Sequence, residues 1–236
     1  MKNLEYEQLC VVGDIHGEFR ELVWLIHNKY HIKGTAFIVV GDFGLGFHKK
    51  GYYETVVWNR IKKDLENDGN CILGLRGNHD NPDFYDPTSE NFIDFPRFKA
   101  LQDYERLEWK DREILTIGGA VSRDVVEREE GKDWWEGEDI QRDWSKIKEK
   151  EDIILSHDAP ICFGPVPVKH EKIPTDVFQK MLDSRNFLYQ VLKQTNPRRW
   201  FFGHYHESTS GDWGDTLWRG LSINEIIEIR DELYKI

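Results

Sequence analysis

Cysteine is scarce in this chain of 236 residues: Cys10, Cys71 and Cys162 stand far apart and form no C-x-x-C pair. That excludes a disulfide framework and a zinc ribbon and fits a reducing compartment. Long apolar runs are missing too, since no stretch approaches the roughly 18 residues that a membrane span needs. The start, Met1 to Glu7, is charged where an export signal would have a basic head followed by an apolar run. Basic charge is in deficit: 32 Lys and Arg face 43 Asp and Glu, for a net charge of −11. A surface of that sign does not release counterions from nucleic acid, so general DNA or RNA binding is not expected, although a local basic pocket remains compatible with it. No internal repeat, low-complexity tract or Pro/Gly/Ser-rich linker interrupts the chain. What these absences leave is a cytoplasmic globular protein read as a single domain over residues 1–236, with 39% hydrophobic and 13% aromatic residues to fill its core.

Several short apolar runs end alike, with Gly, Asp, Asn or His directly after the last β-branched or aliphatic residue. Gln8 to Val12 stops at Gly13-Asp14, Ala36 to Val40 at Gly41-Asp42, and Asn70 to Leu75 at Arg76-Gly77-Asn78-His79-Asp80. Helical patterns lie between them. Glu18 to Asn28 puts Phe19, Leu22, Val23, Leu25 and Ile26 on one face, and Glu54 to Glu66 does the same with Val57, Trp58, Ile61 and Leu65. This β-α-β-α-β order predicts parallel strands whose carboxyl ends carry a ligand site. Further on, Leu107 to Trp109 and Glu113 to Ile117 flank Lys110-Asp111-Arg112 and read as a hairpin. Asp152 to Ser156 ends at His157, and Arg199 to Phe202 ends at Gly203-His204-Tyr205-His206, with an amphipathic helix from about Thr175 to Leu192 between them. The tail, Leu221 to Arg230, alternates and closes a sheet edge. The fold class expected is α/β with mixed sheets.

The residues at these strand ends form a metal-ligand set. Asp14 and His16 make an Asp-x-His pair between Gly13 and Gly17, a pattern that in isolation is more often a turn with a solvated histidine. Recurrence changes the reading. Asp42 supplies a second carboxylate, the group best suited to bridge two cations because each oxygen can serve one. Asn78 offers a neutral amide oxygen, and His157, His204 and His206 add imidazoles that suit zinc, iron, manganese or nickel. Seven ligands fit two ions.

Gly13-Asp14-Ile15-His16-Gly17, Gly41-Asp42, Gly77-Asn78-His79-Asp80, Ser156-His157 and Gly203-His204-Tyr205-His206, in this order over roughly residues 8 to 206, resemble the motifs of the calcineurin-like metallophosphoesterases. The resemblance implies two packed mixed β-sheets flanked by helices, a four-layer sandwich. It implies that Asp14, His16, Asp42 and His206 hold one divalent ion while Asp42, Asn78, His157 and His204 hold the other, with manganese the first choice and iron, zinc or nickel as alternatives. Two cations about 3.5–4 Å apart would share a water, bring it toward a pKa of about 7 and let hydroxide attack phosphorus without a covalent intermediate. His79 occupies the position of a histidine that reaches substrate oxygens and protonates the leaving group. Leu75-Arg76-Gly77-Asn78-His79-Asp80 is also close to a string of the phosphoprotein phosphatase branch, which makes Arg76 a candidate phosphate grip. The competing expectation for Arg76 is a structural salt bridge at the strand end.

The chain departs from that branch at Gly41-Asp42-Phe43-Gly44-Leu45-Gly46-Phe47, where a carboxylate that orients the catalytic histidine and a phosphate-binding arginine are missing. Asp80 is a weak candidate for the orienting role. The segment Gly118-Gly119-Ala120-Val121-Ser122-Arg123-Asp124, continuing to Arg128, Trp134-Trp135 and Glu138, looks like a string found in a bacterial and phage branch of the same superfamily. It places Arg123 and Arg128 as substitutes for the missing arginine and Trp134 or Trp135 as stacking or packing groups. His27, His31, His48 and His170 read as surface or loop positions. The substrate expected is a phosphate ester of a nucleotide, a small molecule or a phosphoprotein, as monoester or diester. A metal-binding interaction scaffold without turnover is the alternative from another class.

Overall fold

The computed structural model of the chain describes residues 2–164 and 173–230; His170 lies outside them. Along the chain the elements are β1 (Lys2–Asn3), β2 (Gln8–Val12), α1 (Phe19–Trp24), β3 (Thr35–Val39), α2 (Lys50–Tyr52), α3 (Asn59–Asp68), β4 (Cys71–Gly74), β5 (Asp94–Phe95), β6 (Phe98–Ala100), β7 (Arg106–Trp109) and β8 (Arg112–Ile117). There follow β9 (Ile153–Ser156), α4 (Thr175–Thr195), β10 (Arg199–Phe202), β11 (Thr209–Trp213), β12 (Thr216–Gly220) and β13 (Ile226–Glu228). Wider π-type turns continue α1 through Leu25–Lys29 and join α2 to α3 through Tyr53–Trp58.

Among the described residues the strands form a seven-stranded sheet, β1-β7-β8-β9-β10-β12-β11, and a six-stranded sheet, β13-β2-β3-β4-β6-β5. Parallel pairs fill the middle of each, and antiparallel pairs such as β13·β2, β5·β6 and β11·β12 close the edges. The predicted hairpin is β7–β8, with Trp109 opposite Arg112. Lys110 and Asp111 both have positive φ, 48° and 61°, as a two-residue type I′ turn requires.

The period of two sorts the apolar side chains into layers. Leu9, Val11, Ala36, Ile38, Cys71 and Leu73 pack inward against Leu107, Ile114, Ile153, Leu155 and Phe201 of the other sheet. Their sequence neighbours Cys10, Val12, Phe37, Val39 and Ile72 point outward, where Phe19, Leu22, Ile61 and Leu65 of α1 and α3 cover them. On the far side Ile154, Trp200 and Phe202 meet Phe187, Leu188, Val191 and Leu192 of α4. Strands buried on both faces need unbroken apolar runs, which is why these stood out in the sequence. Each fully buried aliphatic side chain contributes roughly 1.5–3 kcal/mol relative to exposure. The result is the expected four layers, helix, sheet, sheet, helix.

Candidate metal centre

β2, β3 and β4 of one sheet and β9 and β10 of the other deliver the expected ligands at their carboxyl ends. The chain must turn at once after each strand to keep these side chains together. His16, Asp42, His204 and His206 do so at φ of 45°, 42°, 68° and 56°, a left-handed region that residues with a Cβ seldom adopt and that recurs at functional sites. Two glycines allow the backbone to press against the carboxylates. A Cβ on Gly77 would lie 2.1 Å from Asp42 Oδ1, and one on Gly203 would lie 2.1 Å from Asp14 Oδ1.

One group of ligand atoms, from Asp14, His16, Asp42 and His206, lies within 4.8 Å of one another. In it His206 Nε2 is 3.0 Å from His16 Nε2 and 3.1 Å from Asp14 Oδ2. A second group adjoins it: His157 Nε2 is 3.0 Å from Asn78 Oδ1 and 3.5 Å from Asp42 Oδ1, and the His157 and His204 rings are 4.8 Å apart. Asp42 therefore turns one oxygen to each group, Oδ2 toward His16 at 3.9 Å and Oδ1 toward His157. All seven expected ligands come together.

The donor chemistry fits cations. His157 Nδ1 lies 3.0 Å from the carbonyl of Val40, which can only accept, so Nδ1 carries the proton and Nε2 presents a lone pair. Opposite it stands Asn78 Oδ1, whose orientation follows from a chain of hydrogen bonds. The buried Glu138 carboxylate accepts from Ser122 Oγ at 2.5 Å and from Ser122 N–H at 2.8 Å, so the hydroxyl is left to accept from Asn78 Nδ2 at 2.9 Å. The amide oxygen is thereby aimed at the imidazole. Two acceptors at 3.0 Å repel unless a proton or a cation lies between them. Burial pulls the His157 pKa down, but Asp42 and Asp14 outweigh it and the net direction is up. The hydrogen bond to Asp14 likewise raises His206. Burial pushes the Asp42 carboxyl up as well. Burial instead pulls His16 and His204 down, so the demand for positive charge lies at His157, His206 and Asp42, and divalent ions meet it with these same atoms.

Arg76 does not reach the centre. It is 2% exposed and donates to the carbonyls of Gly137 at 2.9 Å, Glu138 at 2.7 Å and Asp139 at 3.1 Å and to Asp103 Oδ2 at 2.8 Å. The phosphate grip expected of it is corrected to the salt-bridged alternative, because its donors are committed to protein oxygens. Asp80 is no orienter of His79 either; its buried carboxylate accepts from the N–H groups of Phe43, Gly44, Leu45 and Gly77 and holds the loop after β3.

His79 stands beside the cluster, edge-on to His16 with ring centroids 5.3 Å apart. Nη1 and Nη2 of Arg128 lie 2.9 Å from its two ring nitrogens, and Asp124 holds the same guanidinium through two contacts of 2.9 Å. Burial, then Arg128, push the His79 pKa down to about 3, so its imidazole is neutral. His79, Arg123 and Arg128 border a cleft of about 600 Å³ that opens onto Asp42, Asn78, His204 and His206. Trp135 is buried and packs edge-on against Phe47 at 5.4 Å, so its role is packing.

Sequence reasoning passed over the residues that fix the ligands. Ser122 and Glu138 sat within a noted string but had no assigned task. Asp158, directly after His157, accepts from the Tyr205 hydroxyl, while the Arg185 guanidinium lies over the Tyr205 ring at 5.3 Å. This pins the turn that presents His204 and His206. The signal available was adjacency to ligands, which does not tell which distant side chain answers.

A family model described as calcineurin-like phosphoesterase matches residues 8–208 of the chain. A Staphylococcus aureus protein provisionally described as a 5′-nucleotidase, solved in complex with alpha-ketoglutarate, superposes with a TM-score of 0.50 at 11% identity. That alignment covers 94% of this chain and 50% of the other, so the chain spans half the length of this structure and shares its fold. A conserved Streptococcus pneumoniae protein described as a predicted phosphoesterase aligns over 97% of this chain and 86% of its own length, with a TM-score of 0.39 and 12% identity.

Proposed function

This chain belongs to the calcineurin-like phosphoesterase family, and from that premise we propose that it is a hydrolase of phosphoric esters that works with two divalent cations held side by side. The observation that carries the reading is the division of Asp42 between two ligand groups, one oxygen to each. Asp14, His16, Asp42 and His206 would hold one ion and Asp42, Asn78, His157 and His204 the other, with manganese first among the metals these donors accept. When bound, such ions would polarise phosphoryl oxygens and lower the pKa of a water toward about 7.

The chain's own groups supply the rest. The cleft would orient the ester so that a water oxygen bonds to phosphorus, its proton passing to solvent, as the bond to the leaving oxygen breaks. His79 delivers a proton to that leaving oxygen. Its neutral resting state suits an empty cleft, and the negative charge of a bound phosphate favours the imidazolium. Arg128 lines the cleft, as Arg76 does not, and would meet the phosphate by giving up its contacts to the His79 ring, which frees that ring to take a proton.

The test is turnover of p-nitrophenyl phosphate and bis-p-nitrophenyl phosphate by chelator-stripped protein with manganese added back, with metal content read by elemental analysis. Asp42→Ala should lose metal and activity together. His79→Ala should keep its metal and lower kcat by about 10²–10⁴, the usual worth of general acid catalysis. Wild-type turnover in His79→Ala would remove the acid role, and metal binding without turnover of either ester would establish the silent scaffold instead.

A further inference from the structure

The centre opens on two sides. One is the cleft that contains His79, Arg123 and Arg128. The other is a groove of about 410 Å³ that starts at His16 and Gly44 and runs past α1, the loop after β3 and the helical stretch 50–60. His16 stands at the junction: its ring lies edge-on to His79 and to His206, 5.3 and 5.0 Å away, and it also lines the groove. A monoester has one organic substituent and needs one such space. A diester has two and needs room on both sides of phosphorus.

The groove has its own chemistry. Arg20 and Arg60, one from α1 and one from α3, are exposed on it, and among the described residues neither forms an ion pair; Glu18 is the one acid that lines it. His48 and Tyr52 stack there with ring centroids 3.9 Å apart and planes tilted by 35°, and Tyr52 and Phe47 remain 37% and 42% exposed. The loop that carries these groups is held in shape. The Tyr53 hydroxyl accepts from Gly46 N–H at 2.8 Å and His48 N–H at 3.4 Å and donates to the Gly44 carbonyl at 3.0 Å. Guanidinium groups next to an exposed aromatic pair match a phosphate followed by a base, since the cation meets the charge and the ring face meets the heterocycle.

We propose that the ester cleaved here is a nucleotide phosphodiester, with one substituent of phosphorus in the cleft and the other in the groove, where Arg20 and Arg60 meet a neighbouring phosphate and Tyr52 and His48 meet a base. This rests on the phosphoesterase reading above and narrows it. The net charge of −11 favours a short substrate, because a long strand draws its affinity from an overall basic surface that this chain does not have.

Binding and turnover separate the two readings. Binding is titrated with a 5′-phosphorylated thymidine dinucleotide whose internal linkage is a phosphorothioate, on manganese-loaded protein. Turnover is the ratio of kcat/KM for the ordinary dinucleotide to that for p-nitrophenyl phosphate. The expected result is a ratio above one in the wild type, falling at least about tenfold in Arg20→Ala/Arg60→Ala, the size of one charge-assisted hydrogen bond, with weaker dinucleotide binding to match. Tyr52→Ala should weaken binding independently. A ratio below one, or binding and ratio unmoved in both variants, would overturn the proposal. Tight, arginine-dependent binding without hydrolysis would support the groove and refute the phosphoesterase reading.

Discussion

Arg76, just past the end of β4, and Arg128, in the segment between β8 and β9, divide a structural task and a cleft-facing one. Arg76 follows Leu75 into the interior, where three carbonyls and Asp103 use its Nη groups. Arg128 reaches the cleft, fastened to Asp124 and laid against His79. Removing Arg76 would leave a carboxylate and three carbonyls without their donor, and breaking such a buried pair costs about 3–5 kcal/mol, less here because Asp103 is 22% exposed. Arg76→Ala should therefore lower the unfolding free energy by about 3 kcal/mol in urea denaturation, and Arg76→Lys should restore only part of it because an ammonium cannot fork. A variant with wild-type stability and a raised KM would return Arg76 to the substrate. The string Leu75-Arg76-Gly77-Asn78-His79-Asp80 could not separate these cases, since the answer depends on what residues 137–139 do sixty positions later.

At the scale of elements, the segment after β8 does more than connect. Residues 118–138 contain only one short 3₁₀ turn, Val125–Glu127, yet they supply Ser122, Arg128 and Glu138 to the centre. Periodicity says nothing about such a strap, because it neither alternates nor repeats at helical spacing. The strands it spans were readable for the opposite reason: β2, β3, β4, β9 and β10 are buried on both faces, and their apolar runs end at polar motifs. The β11–β12 hairpin, whose exposed and half-buried residues mix along Thr209–Trp213, offered no such run. Ser122→Ala cuts the link from Glu138 to Asn78 and frees the amide to rotate. Calorimetric titration with manganese should show one of two ions bound about 10–100-fold more weakly, the usual effect of losing a hydrogen bond that orients a ligand. Unchanged affinity for both ions would mean that backbone geometry alone holds Asn78 in place.

For the whole molecule, the centre is also a clasp, because Asp14, Asp42 and Asn78 follow strands of one sheet and His157, His204 and His206 follow strands of the other. Ions that bind only the folded chain stabilise it by about 2.7 kcal/mol at a hundredfold excess over Kd, which for a domain of this size is roughly 5–10 °C in Tm. Manganese should raise the melting temperature of stripped protein by that amount, and Asp42→Ala should abolish the rise; an identical Tm with and without metal would deny that the ligands converge on ions. The types of the seven candidate ligands, the strands that carry them and the α/β class with mixed sheets follow from local pattern, since alternation and the residue after each run are properties of a few neighbours, whereas the four-layer order is an implication of the family resemblance. Which arginine faces the cleft, what aims the Asn78 amide, and the existence of a second groove beyond His16 arise only when loops far apart in the chain pack together. These depend on contacts such as Arg76 to Glu138 and Asn78 to Ser122, whose partners are fixed by the meeting of two sheets and leave no periodic trace along the chain.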